Sequence, residues 1–230
     1  MLVARRTDRL QELASELEAS FGPCATCIAT DLAAPGAARA LAKELAARAL
    51  RVDTLVNNAG FGYVGDFVDE PMDNVEDMTR LNIGALTELT RLLLPAMKER
   101  GRGRILNVAS VASFIPGPRM AVYFATKAYV LSFSDALGQE LKGTGVSVTA
   151  LCPGPTPTEF QAVAGMGRHY SGASRSLAEV DAPSVARAGY RALMKGKRSV
   201  IPGFFPRMGV RLAGFLPRGL VLKLLHRVNS

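Results

Sequence analysis

The chain has 230 residues, 48% hydrophobic and 21% charged, a balance that excludes a disordered tail or a low-complexity fibre and suits a globular domain with a sizeable core. Lys and Arg number 28 against 20 Asp and Glu, a net charge of +8, which favours anionic partners such as a phosphorylated cofactor, an acyl-CoA or an anionic membrane. The basic residues are spread along the chain without an RNA- or DNA-binding signature, and Trp is absent, so no nucleic-acid partner is expected.

Strand and helix patterns alternate from end to end, which predicts one α/β domain over 1–230, a doubly wound parallel sheet with helices on both faces. Leu2-Val3-Ala4 reads as a strand remnant, with no signal-peptide apolar run around it. A helix follows near Arg9–Ser20, a strand near Ala25–Ala29 and a helix near Pro35–Ala49. Arg51–Asn57 predicts a central strand, Met72–Arg100 a long helical region, and Arg104–Ala109 a buried strand. A helix over Val122–Lys142 leads to the strand Gly145–Cys152. Pro153–Leu177, rich in Gly, Ser, Thr and Pro, is long for a connection and reads as a lid. Asp181-Ala-Pro-Ser opens a helix to about Lys195, with Pro183 in its first turn, and Ser199–Ile201 is the last strand. No stretch of eighteen apolar residues occurs, and a cytoplasmic location is expected.

Cys24 and Cys27 have C-x-x-C spacing, but they lie in a strand-like stretch, where no helix N-terminus lowers a thiol pKa. With no second Cys/His pair and only Cys152 besides, ordinary thiols are expected and no metal site.

The chemistry concentrates on Ser110, Tyr123 and Lys127. Tyr123 and Lys127 stand four apart in a helical pattern and share a face, so an ammonium beside the phenol would favour the phenolate. A phenol tuned down from about 10 can give a proton to a carbonyl oxygen or take one back. Ser110 lies just past a strand's C-terminal end, where ligand sites of open α/β sheets gather.

Three further motifs stand at strand ends. Asn57-Asn58-Ala59-Gly60 follows Leu55-Val56, Asn107-Val-Ala-Ser110 precedes Tyr123 by thirteen residues, and Pro153-Gly154-Pro-Thr-Pro-Thr158 follows the next strand. In this order they resemble the short-chain dehydrogenase/reductase family, with its Rossmann-like fold, through about Ile201. The resemblance implies Tyr123 as catalytic acid/base and Lys127 as the residue that lowers its pKa and holds the nicotinamide ribose. It implies Ser110 as the group positioning the substrate carbonyl and Asn82 as the holder of a proton-relay water. On the cofactor side it implies Asn58, Ala59 and Gly60 along the adenosine half and Asp31-Leu32 at the adenine. Thr158 would meet the carboxamide, with Pro153 and Gly154 letting backbone approach the ring. Asp31 also fits a helix N-cap, and Asn82 a helix irregularity next to Gly84.

After the strand ending at Ala4 stand Arg5 and Arg6 and no acid, so two guanidiniums are available to a 2′-phosphate, which favours NADP(H) over NAD(H). The family's first strand and Gly-rich turn have no counterpart after Met1, so the chain reads as N-terminally truncated and should bind cofactor poorly as it stands.

From Pro202 onward, large apolar residues alternate with Arg207, Arg211, Arg218, Lys223 and Arg227. This C-terminal extension fits a pair of short helices over the cleft or in a subunit interface, or a membrane-surface segment. The expected activity is interconversion of a carbonyl and a secondary alcohol on an apolar substrate, a sterol-like ketone or 3-oxoacyl chain. Homodimers or homotetramers through the helices at Met72–Arg100 and Val122–Lys142 are implied by the resemblance. The alternative is a cofactor-deficient, non-catalytic binding or membrane-associated relative.

Overall fold

The computed structural model describes residues 1–166 and 179–229. The elements are β1 (Leu2–Ala4), α1 (Thr7–Phe21), β2 (Cys27–Ala29), α2 (Ala37–Ala47), β3 (Thr54–Asn57), α3 (Met72–Thr79), α4 (Leu86–Glu99), β4 (Gly103–Val108) and α5 (Ala121–Glu140). They continue with β5 (Val146–Leu151), α6 (Phe160–Val163), α7 (Ala182–Met194), β6 (Ser199–Val200), α8 (Phe204–Ala213) and α9 (Arg218–Asn229). A π-helical stretch, Arg80–Ala85, joins α3 to α4, and a 3₁₀ turn, Val111–Phe114, follows β4. The expected alternation is present, with boundaries shifted by a few residues.

Neighbouring residues of β4 show why the sheet is covered on both faces. Ile105 packs with Met97, Leu141, Val146 and Val148 on one side, while Leu106 points the other way, towards Val185 and Leu193 of α7. At α7, Asp181 accepts a 2.8 Å hydrogen bond from the Ser184 N–H, the cap that Asp-Ala-Pro-Ser predicts. Between α5 and β5, Gly145 sits at φ +78°, and a Cβ there would lie 1.8 Å from the Gly101 carbonyl oxygen, so only glycine fits.

All paired strands are parallel, but they form two sheets, β1–β2 and β3–β4–β5–β6. The parallel arrangement expected from the sequence is present, and the division falls between the strand at Leu2–Ala4 and the strand at Thr54–Asn57. β1 and β3 line a common cleft of ≈ 840 Å³, and no described residue forms a strand between them, so no ladder bridges the pieces. They are joined by apolar packing instead: Val3, Val52 and Leu55 lie against Ile28, Leu41, Leu45 and Leu89, which brings in α2 and α4. Val56, in mid-strand, is consequently 50% exposed.

The long helical region is interrupted at Arg80–Ala85, where the π turn aims Asn82 inward; such bulges recur at functional sites. The C-terminal extension forms the expected pair of short helices. Of the expected lid, residues 167–177 lie outside the described residues. No described helix is long and apolar enough to cross a membrane.

All three cysteines are free: Cys24 is exposed, Cys27 opens β2, and Cys152 is buried at the end of β5. Burial pushes the Cys152 thiol up to about 12, leaving on the order of 10⁻⁴ of it as thiolate at pH 8. Iodoacetamide at that pH should label Cys24 in the folded chain and Cys152 only after denaturation, as read by peptide mass spectrometry. Equal labelling rates would contradict this packing.

Candidate active site

Parallel strands end at a common edge, and Asn57 and Asn107, at the ends of β3 and β4, are register partners there. The Asn57 Nδ2 donates to Asn107 Oδ1 (2.9 Å) and Thr90 Oγ1 (3.2 Å), and Asn107 Nδ2 donates to Ser134 Oγ (2.9 Å). This buried chain of amides and hydroxyls ties β3, β4, α4 and α5 together directly beneath the edge, with its polar groups mutually satisfied.

Above it stand Ser110, Tyr123, Lys127 and Asn82. Ser110 is the extended residue that opens the 3₁₀ turn, its Oγ accepting from the Ala112 N–H at 3.1 Å. The turn is fixed from two sides: Val111 N–H donates to Pro153 O (2.9 Å), and Ser113 Oγ donates to Lys127 O (2.7 Å). Tyr123 lies in the first turn of α5, its ring 5.2 Å from that of Phe160. Asn82 is nearly fully buried. Its Oδ1 accepts from the Phe61 N–H (3.2 Å), while its Nδ2 donates to Phe61 O (2.9 Å) and to Thr126 Oγ1 (3.1 Å). Thr126 Oγ1 in turn donates to the Tyr123 carbonyl at 2.7 Å, so the π turn is connected to the residue bearing the phenol. A Cβ on Gly60 would come within 2.8 Å of Asn82 Oδ1 and 3.4 Å of Lys127 Nζ, which is why glycine stands there.

The electrostatics differ from the sequence expectation. Burial holds the Tyr123 phenol up at about 12, and the facing Ser110 hydroxyl only partly opposes this. Lys127 is itself buried and pulled down to about 8; its Nζ donates to Val108 O at 2.8 Å and lies 5.8 Å from the centroid of the Tyr123 ring. Burial therefore outweighs any lowering of the phenol by Lys127 in this structure. The phenol is a neutral acid in this structure.

The residues expected to meet a dinucleotide gather in a second group. Arg5, Arg6, Asp31, Leu32, Asn58, Ala59, Gly60 and Thr158 all line the cleft between β1 and β3, whereas Pro153 and Gly154 lie outside its lining. The two groups meet at Gly60 and at Phe160, which both lines the cleft and touches Tyr123. Asp31 Oδ1 accepts from the Ala33 N–H at 3.0 Å, a local turn bond, while α2 starts later behind Gly36. Thr158 Oγ1 accepts from the Phe160 N–H at 3.3 Å at the start of α6.

Sequence reasoning missed Glu159, which forms an ion pair with Arg6 and lies 3.9 Å from Arg9. Each partner favours the other's charged form: the Arg6 guanidinium holds the Glu159 carboxyl below its usual range, and Arg6 is raised in return. Thr126 and Ser134 were also missed. Their only sequence signal is a hydroxyl on the inward side of α5, and it becomes legible only once Asn82 and Asn107 are placed against them.

The chain is similar to several known proteins. Ketoacyl reductase HetN of Nostoc is 38% identical over 151 residues, covering 65% of this chain and 51% of HetN. The human very-long-chain 3-oxoacyl-CoA reductase is 36% identical over 157 residues, 66% of this chain and 50% of that protein. The chain thus spans about half the length of these curated relatives. A short-chain dehydrogenase from Sphingobium yanoikuyae, solved in complex with NADPH, superposes with a TM-score of 0.79 at 32% identity, covering 94% of this chain and 86% of that one. Residues 1–168, which hold Ser110, Tyr123, Lys127 and most of the cleft, match the short chain dehydrogenase family, and the chain belongs to it.

Proposed function

We propose that the chain serves an NADP(H)-dependent oxidoreductase that interconverts a carbonyl and a secondary alcohol on an apolar substrate, with a 3-oxoacyl chain or a sterol-like ketone as the class. The observation that carries this is the meeting of Ser110, Tyr123 and Lys127 at the strand-end edge, next to a cleft lined by Arg5 and Arg6. Ser110 holds the substrate oxygen, and Tyr123, a neutral acid, gives it a proton as the carbon is reduced. Lys127 lies beneath, placed to stabilise the phenolate that remains, and Asn82 holds the Gly60–Phe61 turn and α5 in register. The bound cofactor supplies the hydride.

The residues present fit the two ends of such a cofactor. Arg5, and Arg6 once released from Glu159, would offer guanidiniums to a 2′-phosphate; Asp31 and Leu32 would border the adenine, and Tyr123, Lys127 and Thr158 would take the nicotinamide end. The relatives named ketoacyl and 3-oxoacyl-CoA reductases support the substrate class. Pairing of two copies through α4 and α5 is supported by exposed Leu92 and by Tyr129, which stacks on Phe133 at 5.9 Å.

A second reading, a cofactor-deficient binding protein, is favoured by one observation. Glu159 forms an ion pair with Arg6 at the cleft a 2′-phosphate would enter. Calorimetric titration with NADPH and NADH separates the two. Micromolar NADPH binding, weakened about tenfold or more by Arg5→Ala/Arg6→Ala with NADH little changed, supports the oxidoreductase. No binding of either nucleotide supports the second reading. Turnover of 3-oxoacyl-CoA with NADPH then tests the substrate class.

A further inference from the structure

The cations run the length of the chain, but the acids do not. The last acidic residue is Asp181; Ala182–Ser230 contains ten Lys and Arg and no Asp or Glu. The remainder, 1–181, holds the other 18 basic residues and all 20 acids, a balance of −2. The whole positive charge of the protein therefore belongs to α7, β6 and the two tail helices.

α8 divides its circumference three ways at about 100° per residue. Pro206, Val210 and Ala213 fall on one side, and these are buried or half-buried. Phe204, Phe205, Met208 and Leu212 fall within an arc of about 100° on another, all exposed, with Phe204 at 66% and Leu212 at 57%. Arg207 and Arg211 occupy the border between these faces. Phe215, at 88% exposure, and Leu216 extend the apolar face through the connecting turn. In α9, Val221 is buried while Leu220 and Leu224 share an outward side flanked by Lys223. Among the described residues Arg211, Arg218 and Lys223 form no ion pair. α8 also packs against the 3₁₀ turn that follows Ser110, where Phe114 is 40% exposed, so this surface borders the catalytic edge.

A helix buried on one side for the fold and apolar again on the other has a second apolar phase to bury. We propose that α8 and α9 dock this face on an anionic bilayer surface, with Phe204, Phe205, Leu212 and Phe215 in the headgroup–acyl boundary and Arg211, Arg218 and Lys223 on lipid phosphates and carboxylates. Charge complementarity selects the occupant: α8 and α9 carry Arg207, Arg211, Arg218, Lys223 and Arg227 and no acid, which repels a second copy of the same surface, whereas an anionic leaflet attracts them. The reading does not depend on catalysis. It does place Ser110 and Tyr123 where an apolar substrate could reach them from lipid.

Flotation with phosphatidylcholine vesicles, with and without about 30% phosphatidylserine, tests the proposal on the full 230-residue chain. Binding is expected to the anionic vesicles at about 0.1 M salt and to fall steeply at about 0.5 M. Arg211→Gln/Arg218→Gln/Lys223→Gln should weaken it on the order of 100-fold, about fivefold per cation. Phe205→Ser/Leu212→Ser should abolish it, both variants keeping the wild-type melting temperature because the altered side chains are exposed. Equal binding to neutral and anionic vesicles, or wild-type binding by the triple variant, would overturn it. So would absence of vesicle binding together with an oligomer, seen by light scattering, that Phe205→Ser/Leu212→Ser dissociates, since the face would then be a self-association surface.

Discussion

Tyr123→Phe should lower turnover by 10³-fold or more while leaving fold and nucleotide affinity within about twofold of the parent. The change removes one oxygen from a ring whose packing, against Phe160 at 5.2 Å and Phe124 at 6.1 Å, does not use it. What is lost is the proton. The phenol, held at about 12 and facing the Ser110 hydroxyl, is the neutral acid placed to give it. Steady-state rates with NADPH and a 3-oxoacyl thioester, beside nucleotide titration and a thermal melt, check all three parts. A variant that keeps a tenth of the parent rate would remove Tyr123 from the role of proton donor.

Asn82→Ala should cost about 2–4 kcal/mol of stability, which for a chain this size lowers the melting temperature by about 4–16 °C. The substitution orphans the Phe61 N–H and C=O and takes a donor from Thr126, all beneath the catalytic edge. Asn82→Asp, which keeps the acceptor for Phe61 N–H but loses both donated bonds, should fall between parent and Asn82→Ala. Because Thr126 connects Asn82 to the Tyr123 carbonyl, kcat should fall along the same series even at temperatures where each variant is fully folded. A melting temperature unmoved in Asn82→Ala would mean that the bulge is held by helix geometry alone.

Much of the fold was legible because its signals are local. Short apolar runs bounded by turn residues marked β3, β4 and β5, and Asp181 with Pro183 marked the start of α7. The proposed catalytic set was readable because Tyr123 and Lys127 have helical spacing and Ser110 sits at a strand end. The packing that holds β1 and β2 against β3 was not legible, since it joins Val3 and Ile28 to Leu55 and Leu89, which are distant in sequence. The break in the long helix was legible only as an irregularity next to Gly84; its π geometry and the contacts of Asn82 with Phe61 and Thr126 were not.

By itself, the sequence determined the α/β alternation, the family, and the presence of Ser110, Tyr123, Lys127 and Asn82 at positions that converge. It also determined the confinement of net positive charge to the last 49 residues. Tertiary structure alone decided the state of those groups. Lys127 turned to the Val108 carbonyl rather than to the phenol, Glu159 reached Arg6 across 153 positions, and Asn57 met Asn107 across a ladder. The physical reason is that pKa shifts and buried hydrogen bonds depend on desolvation and on partners distant in sequence, and local pattern carries neither.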